Sequence, residues 1–181
     1  MPMHKLAVLA ALALIAAAPP SAVPEVGEPG TAAERAALMT ATKTWFDAQD
    51  HGKPTSAYKL IGPSMTAYLT PQLFADAQAR FASEAGKLDR RVLTRISWYR
   101  DPPDAPAPGL YVATDFTALY ANLDLMCGYL MWHEAAPGRF ELVREEQNYI
   151  DHAAAKAMPP ERRKELPKLF GCVGADQPAS D

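Results

Sequence analysis

The sequence predicts an α+β fold: N-terminal helices packed on a curved four-stranded antiparallel sheet, with an extra C-terminal helix. Three observations predict it. Apolar residues recur at helical spacing between residues 31 and 86, they alternate from Arg90 onward, and the links between the alternating stretches are short.

The chain begins with the layout of a signal peptide. A short basic start at His4 and Lys5 precedes thirteen apolar residues, Leu6 to Ala18, which Pro19 and Pro20 close. A membrane-spanning helix takes about twenty apolar residues, so export is expected rather than a lasting anchor. Cleavage is placed after Ala22, with Ala18 as the alternative, giving a signal peptide over 1–22. The expected location is the periplasm or the exterior. With no cysteine near the cut, a lipid-attached product is not expected.

Residues 23–30 read as a flexible lead-in. Thr31 then caps a helix, with Glu34 three residues on as in a capping box, and Leu38, Thr42, Trp45 and Phe46 follow helical spacing up to Gly52. A second, short helix covers about Pro54 to Ile61 and ends at Gly62-Pro63. The third starts with Thr70 as cap and Pro71 in the first turn, and Leu73, Phe74, Ala77 and Phe81 form its expected buried stripe. Four strands follow, over 91–100, 110–121, 124–134 and 139–150, joined by a Pro-rich loop and turns at Asn122-Leu123 and Pro137-Gly138.

Parity assigns faces to these strands. Val112, Phe116, Ala118 and Tyr120 form the packed set of the second strand, while Tyr111 and Asp115 fall on the outer surface. In the third strand both sets are apolar, Met126, Leu130 and Trp132 on one side and Leu125, Cys127, Tyr129 and Met131 on the other, so both faces need cover. The residues left to roof the outer face are a helix over Pro159 to Phe170 carrying Leu166 and Leu169. Cys127 and Cys172, the two cysteines of an exported chain, are then expected to pair. The domain spans 31–172, and 173–181 form a disordered tail.

Composition excludes one class of partner. The chain has 18 basic and 21 acidic side chains, and removal of 1–22 takes away only Lys5 among them, leaving a net charge of −4. Binding to nucleic acid needs clustered cations. The two basic runs, Arg90-Arg91 and Arg162-Arg163-Lys164, are short and sit among acids.

The runs Trp45-Phe46-Asp47, Gly86-Lys87-Leu88 leading to Arg91-Val92-Leu93, Pro108-Gly109-Leu110-Tyr111-Val112, Asp115-Phe116, and Gly138-Arg139-Phe140 onward to Asn148-Tyr149-Ile150 resemble exported bacterial proteins of the domain of unknown function 4019 group. The resemblance covers about Glu34 to Ile150. That group is similar to the nuclear transport factor 2-like, cystatin-like superfamily of cone-shaped α+β domains. Phe140 stands where the family usually has Trp, and Cys127, Cys172 and the C-terminal helix look like additions. The resemblance implies a pocket between sheet and helices but transfers no catalytic residue, because that superfamily holds isomerases, dehydratases, hydrolases, binding modules and assembly factors alike.

Polar groups facing that pocket are the candidate site. By parity with Phe140 and Leu142, the last strand points Arg144, Glu146 and Asn148 inward and Glu145 and Gln147 outward. Inward, the three would orient a polar or anionic ligand, or Glu146 would act as a base if burial raised its pKa. The plainer alternative, an internal ion pair and a strand-end hydrogen bond, is the one this reading favours. His133-Glu134 opens H-E-x-x-H, but position 137 is proline and the segment is a strand. Asp47, Asp50 and His51 cluster at a helix end without further ligands at recognisable spacing, so neither a metal nor another cofactor is expected. The expected function is a non-enzymatic periplasmic module binding a small molecule or a protein, a second copy included. The alternative is a small pocket enzyme, an isomerase or hydrolase, using Glu146 with Arg144.

Overall fold

The computed structural model describes residues 23–174. The signal peptide expected over 1–22 and the tail beyond Gly174 lie outside the described residues.

Helix α1, Ala32–Asp50, starts as its capping box dictates. Thr31 Oγ1 accepts from the Glu34 amide at 3.2 Å, and the Glu34 carboxylate accepts from the Thr31 amide at 2.6 Å. Leu38, Thr42, Trp45 and Phe46 are its buried stripe. The second helix is shorter than expected, α2 at Pro54–Tyr58, and Gly62-Pro63 does more than end it. Pro63, with φ pre-set for a first helical turn, opens another short helix, α3 at Pro63–Thr66.

Helix α4, Pro71–Ala85, has Thr70 as its cap, but its buried stripe is rotated from the expected one. Phe74 and Ala85 are buried and Phe81 half-buried, whereas Leu73 is 56% exposed and Ala77 lies at the surface. The true stripe runs through Phe74, Gln78, Phe81 and Ala85. A glutamine in the middle of it disguises the period.

The sheet has five strands in sequential order: β1 Glu25–Val26, β2 Leu88–Arg100, β3 Leu110–Tyr120, β4 Leu123–Ala136 and β5 Arg139–Asp151. The last four pair antiparallel as expected. The four-stranded antiparallel expectation is corrected by β1, which pairs parallel to β2 through Glu25 with Ile96 and Val26 with Ser97. This strand lies inside the segment expected to be a flexible lead-in, and two residues are too few to show a period. It is anchored by side chains: Glu25 accepts from Trp98 Nε1 at 3.0 Å and pairs with Arg35 at 2.8 Å. Gly30 lies so close under the Trp98 indole that a Cβ there would come within 2.5 Å of it.

The helices cover the inner face of the sheet. Trp45 sits at the centre of the core, 5.6 Å from the ring of Phe74 and edge-on to Trp132 at 6.5 Å, and Phe46 meets Phe116 at 5.0 Å. At the far edge, Leu60 and Gly62 hydrogen-bond the backbone of Leu142 at 2.7 and 2.8 Å, shielding part of β5.

The outer face is more enclosed than expected. Tyr111 and Asp115 point outward as parity requires, yet both are buried rather than surface residues. The Pro-rich loop folds back, so that Tyr111 donates to the Ala107 carbonyl at 3.0 Å, and Arg95 pairs with Asp115 at 3.1 Å. The C-terminal roof is a helix pair rather than one helix. Asp151 caps α5, His152–Ala157, and α6, Pro160–Leu169, follows. Leu166 is buried with Ile150 and Ala155, whereas Leu169 is exposed. Cys127 and Cys172 form the expected disulfide, tying the end of this roof to β4. Among the described residues no helix is long and apolar enough to cross a membrane.

Candidate site between the helices and the sheet

The last strand departs from simple parity at one residue. Trp132 pairs with Leu142, but the next residue back, Met131, pairs with Arg144, so Val143 is an extra residue in β5. Beyond the bulge every side chain changes face. Arg144, Glu146 and Asn148 therefore sit beside Met131, Tyr129 and Cys127 on the outer face, and Glu145 and Gln147 face the helices. The inward placement of Arg144, Glu146 and Asn148 is corrected accordingly.

The three outer residues still interact. Arg144 donates to Glu146 at 2.7 Å and lies over the ring of Tyr129, whose hydroxyl donates to Glu146 at 3.2 Å. Asn148 donates to the Phe170 carbonyl at 3.3 Å, linking β5 to the end of α6. The Arg144 hydrogen bond holds the Glu146 carboxyl below the ordinary glutamate range. That is the opposite of the raised value a buried base would have.

The inward carboxyl is Glu145. Its Oε1 accepts from Trp45 Nε1 at 3.3 Å, from Gln49 at 3.2 Å and from Gln147 at 2.7 Å. The carboxyl end is surrounded by protein, although the residue keeps some accessible surface. Burial raises its pKa, and the donors Gln49, Gln147 and Trp45 offset part of that rise. Such a group holds its proton more tightly in the folded chain than in the unfolded one. Its contribution to stability is fully present below the ordinary glutamate value and is lost as pH rises through the raised folded value. Glu145→Gln is therefore expected to flatten the fall in thermal midpoint between weakly acidic and neutral pH, and to exceed the parent in stability at neutral pH. Parallel melting curves across that range test this, and two profiles of identical shape would refute the burial argument.

Beside Glu145 stands a second inward cluster. Arg91 is almost fully buried and grips Asp50 with two hydrogen bonds of 2.6 and 2.9 Å. It also donates to the Tyr120 hydroxyl at 2.7 Å and lies 4.2 Å over the ring of Phe46. Burial pushes the Tyr120 phenol up, with Arg91 acting in the opposite direction. The cluster ties the end of α1 to β2 and β3 and leaves an opening next to them.

That opening is a cavity of about 340 Å³ between the end of α1, the inner side of α4 and the sheet. Gln49, Asp50 and His51 line it from α1, Gln78 and Phe81 from α4, and Tyr120 from β3. Two of these walls belong to the clusters just described: Gln49 also holds Glu145, and Tyr120 also holds Arg91. Lys87 and Leu88 complete the rim. The volume falls in the range of small-molecule pockets, and the lining combines an aromatic wall with several donors.

Of the other sequence candidates, Asp50 and His51 border the cavity and the rest lie away from it. Asp47 pairs with Lys43, Asp50 is taken by Arg91, and His51 contacts the Asp47 carbonyl through Nδ1 at 2.7 Å. Among the described residues no group of three His, Cys, Asp or Glu side chains is placed to hold a metal ion. His133 sits against the Pro108 carbonyl, and Glu134 accepts from the Gly138 amide in the β4–β5 turn. The sequence reading missed Glu145 and Gln49. One signal was present: Gln49 continues the buried stripe Leu38, Thr42, Trp45 on α1, and an amide at the end of such a stripe calls for a polar partner on the sheet.

A family model described as a protein of unknown function (DUF4019) matches residues 41–144. No curated protein and no solved structure matches the chain.

Proposed function

We propose a function for a chain that belongs to the DUF4019 family: it is an exported binding module of the nuclear transport factor 2-like cone type, which holds a small polar organic molecule in the cavity between α1, α4 and the sheet. The observation that carries this reading is the cavity itself. Its walls are fixed before any ligand arrives, by the Arg91 pair with Asp50 and by the donors on Glu145. Pre-fixed walls lower the ordering cost of binding. Phe81 offers a ring to stack on, and Gln49, Gln78 and Tyr120 offer hydrogen bonds. The disulfide supports export, because such bonds persist in oxidising compartments.

In this reading Arg144, Glu146 and Asn148 serve a different surface. They lie across the sheet from the cavity, where a protein partner or a second copy would meet them.

The experiment is a thermal-shift screen of small polar metabolites against the parent and a variant at Ala82, an exposed α4 residue that also lines the cavity: in Ala82→Trp the indole occupies the cavity from its exposed side. A ligand at one hundred times its Kd stabilises the parent by about 2.7 kcal/mol. The variant should lose that response. Hits that persist in the variant, or a screen without hits, would remove the support for this reading.

A further inference from the structure

We propose that the groove between the C-terminal helices and the start of β4 is a second binding site, for an amphipathic anion made of a short hydrocarbon chain ending in a carboxylate. It is separate from the cavity described above and does not depend on it. All of its residues except those at the start of β4 follow residue 144, where the family match ends.

The floor of the groove is apolar: Leu125, Ala155, Met158 and Leu166 line it. Its volume of about 520 Å³ is more than a small anion fills, so the space suits a chain as well as a head group. The rim is cationic. Lys156 of α5 and Lys164 of α6 both border the groove. Its one carboxylate, Asp124, is already neutralised, since Arg163 grips it at 3.0 and 2.6 Å and His152 stands 3.5 Å away. Lys164 approaches only the exposed Glu161, at 3.4 Å, and Lys156 makes no ion pair among the described residues. An incoming carboxylate therefore finds two ammonium groups above an apolar bed, whereas a cationic head meets like charge.

Both walls are held in place without a ligand. The Arg163 pair with Asp124 fixes the middle of α6 to β4, and the Cys127–Cys172 bridge fixes the residues just beyond it. Reduction of the bridge would free one end of the wall that carries Lys164 and Leu166.

The test is calorimetric titration of the full oxidised chain with decanoate below its micelle concentration, with acetate and decyltrimethylammonium as controls. Decanoate should bind and both controls should not. Lys156→Glu combined with Lys164→Glu changes only exposed side chains and should weaken decanoate binding by on the order of tenfold or more. Met158→Trp, which narrows the floor without touching charge, should abolish it, and Ala82→Trp should leave it unchanged. The proposal is overturned if decanoate does not bind, if the double charge reversal leaves its affinity intact, or if Ala82→Trp removes it.

Discussion

Replacement of Trp45 by alanine is expected to lower the free energy of unfolding by about 3–5 kcal/mol. Three effects act together at this side chain. It is fully buried, it packs against Phe74 and Trp132, and its Nε1 is one of the three donors on Glu145. The alanine variant leaves a cavity at the junction of α1, α4 and the sheet and takes a hydrogen bond from a buried carboxyl. Trp45→Phe weights these effects differently, because an aromatic ring is kept while the donor and the smaller ring of the indole are lost. Its expected cost is about 1–2 kcal/mol. Urea denaturation of the two variants beside the parent is the measurement. Since a domain of this size is stable by only about 5–15 kcal/mol, the alanine variant should be unfolded in a substantial fraction at elevated temperature. A loss below about 1 kcal/mol for Trp45→Ala would mean that Trp45 is not the keystone of the core.

The second large effect is expected at the bridge. Cys127 and Cys172 close a loop with a sequence separation of 45, and their joint replacement by serine should cost about 4 kcal/mol in the chain-entropy account. The damage should be uneven. Residues 152–172 have their own small cluster around Ile150, Ala155 and Leu166, set apart from the main core, so amide exchange should accelerate there first and least around Trp45. Uniform acceleration over the whole domain would instead place the roof within the same cooperative unit as the core. Intact mass gives the chemical control, a two-dalton gain on reduction of the parent and none for the double serine variant.

The course of the backbone was legible in the sequence wherever a period runs long enough. The α1 capping box, the Thr70 and Pro71 start of α4 and the four long strands lie where capping and alternation place them, the helix starts because a cap is a local hydrogen bond and the strands because their period repeats over ten or more residues. The pairing of Cys127 with Cys172 was legible too, from outward parity on β4 and the position of the last helix. What escaped is short or depends on one residue. Strand β1 has two residues, and α3 and α5 are one-turn to two-turn helices with no stripe of their own. The site was lost at Val143. Nothing in the string Leu142-Val143-Arg144 marks the second residue as unpaired, since the bulge is a property of the register between β5 and β4 and not of the local sequence. One uncounted residue turned Glu145 from an expected outward side chain into the buried acid beside the cavity, and moved Arg144, Glu146 and Asn148 to the far side of the sheet.

That spare residue also sets how the final strand can change length over evolutionary time. In a ladder with every position paired, losing one codon transposes the inside and outside of all that follows and drives charges into the core. Here the loss of codon 143 alone would restore plain alternation, with Leu142 and Glu145 still turned toward the helices. The strand thus contains one site where its reading frame of faces tolerates a single deletion, flanked by positions where the same event would invert it.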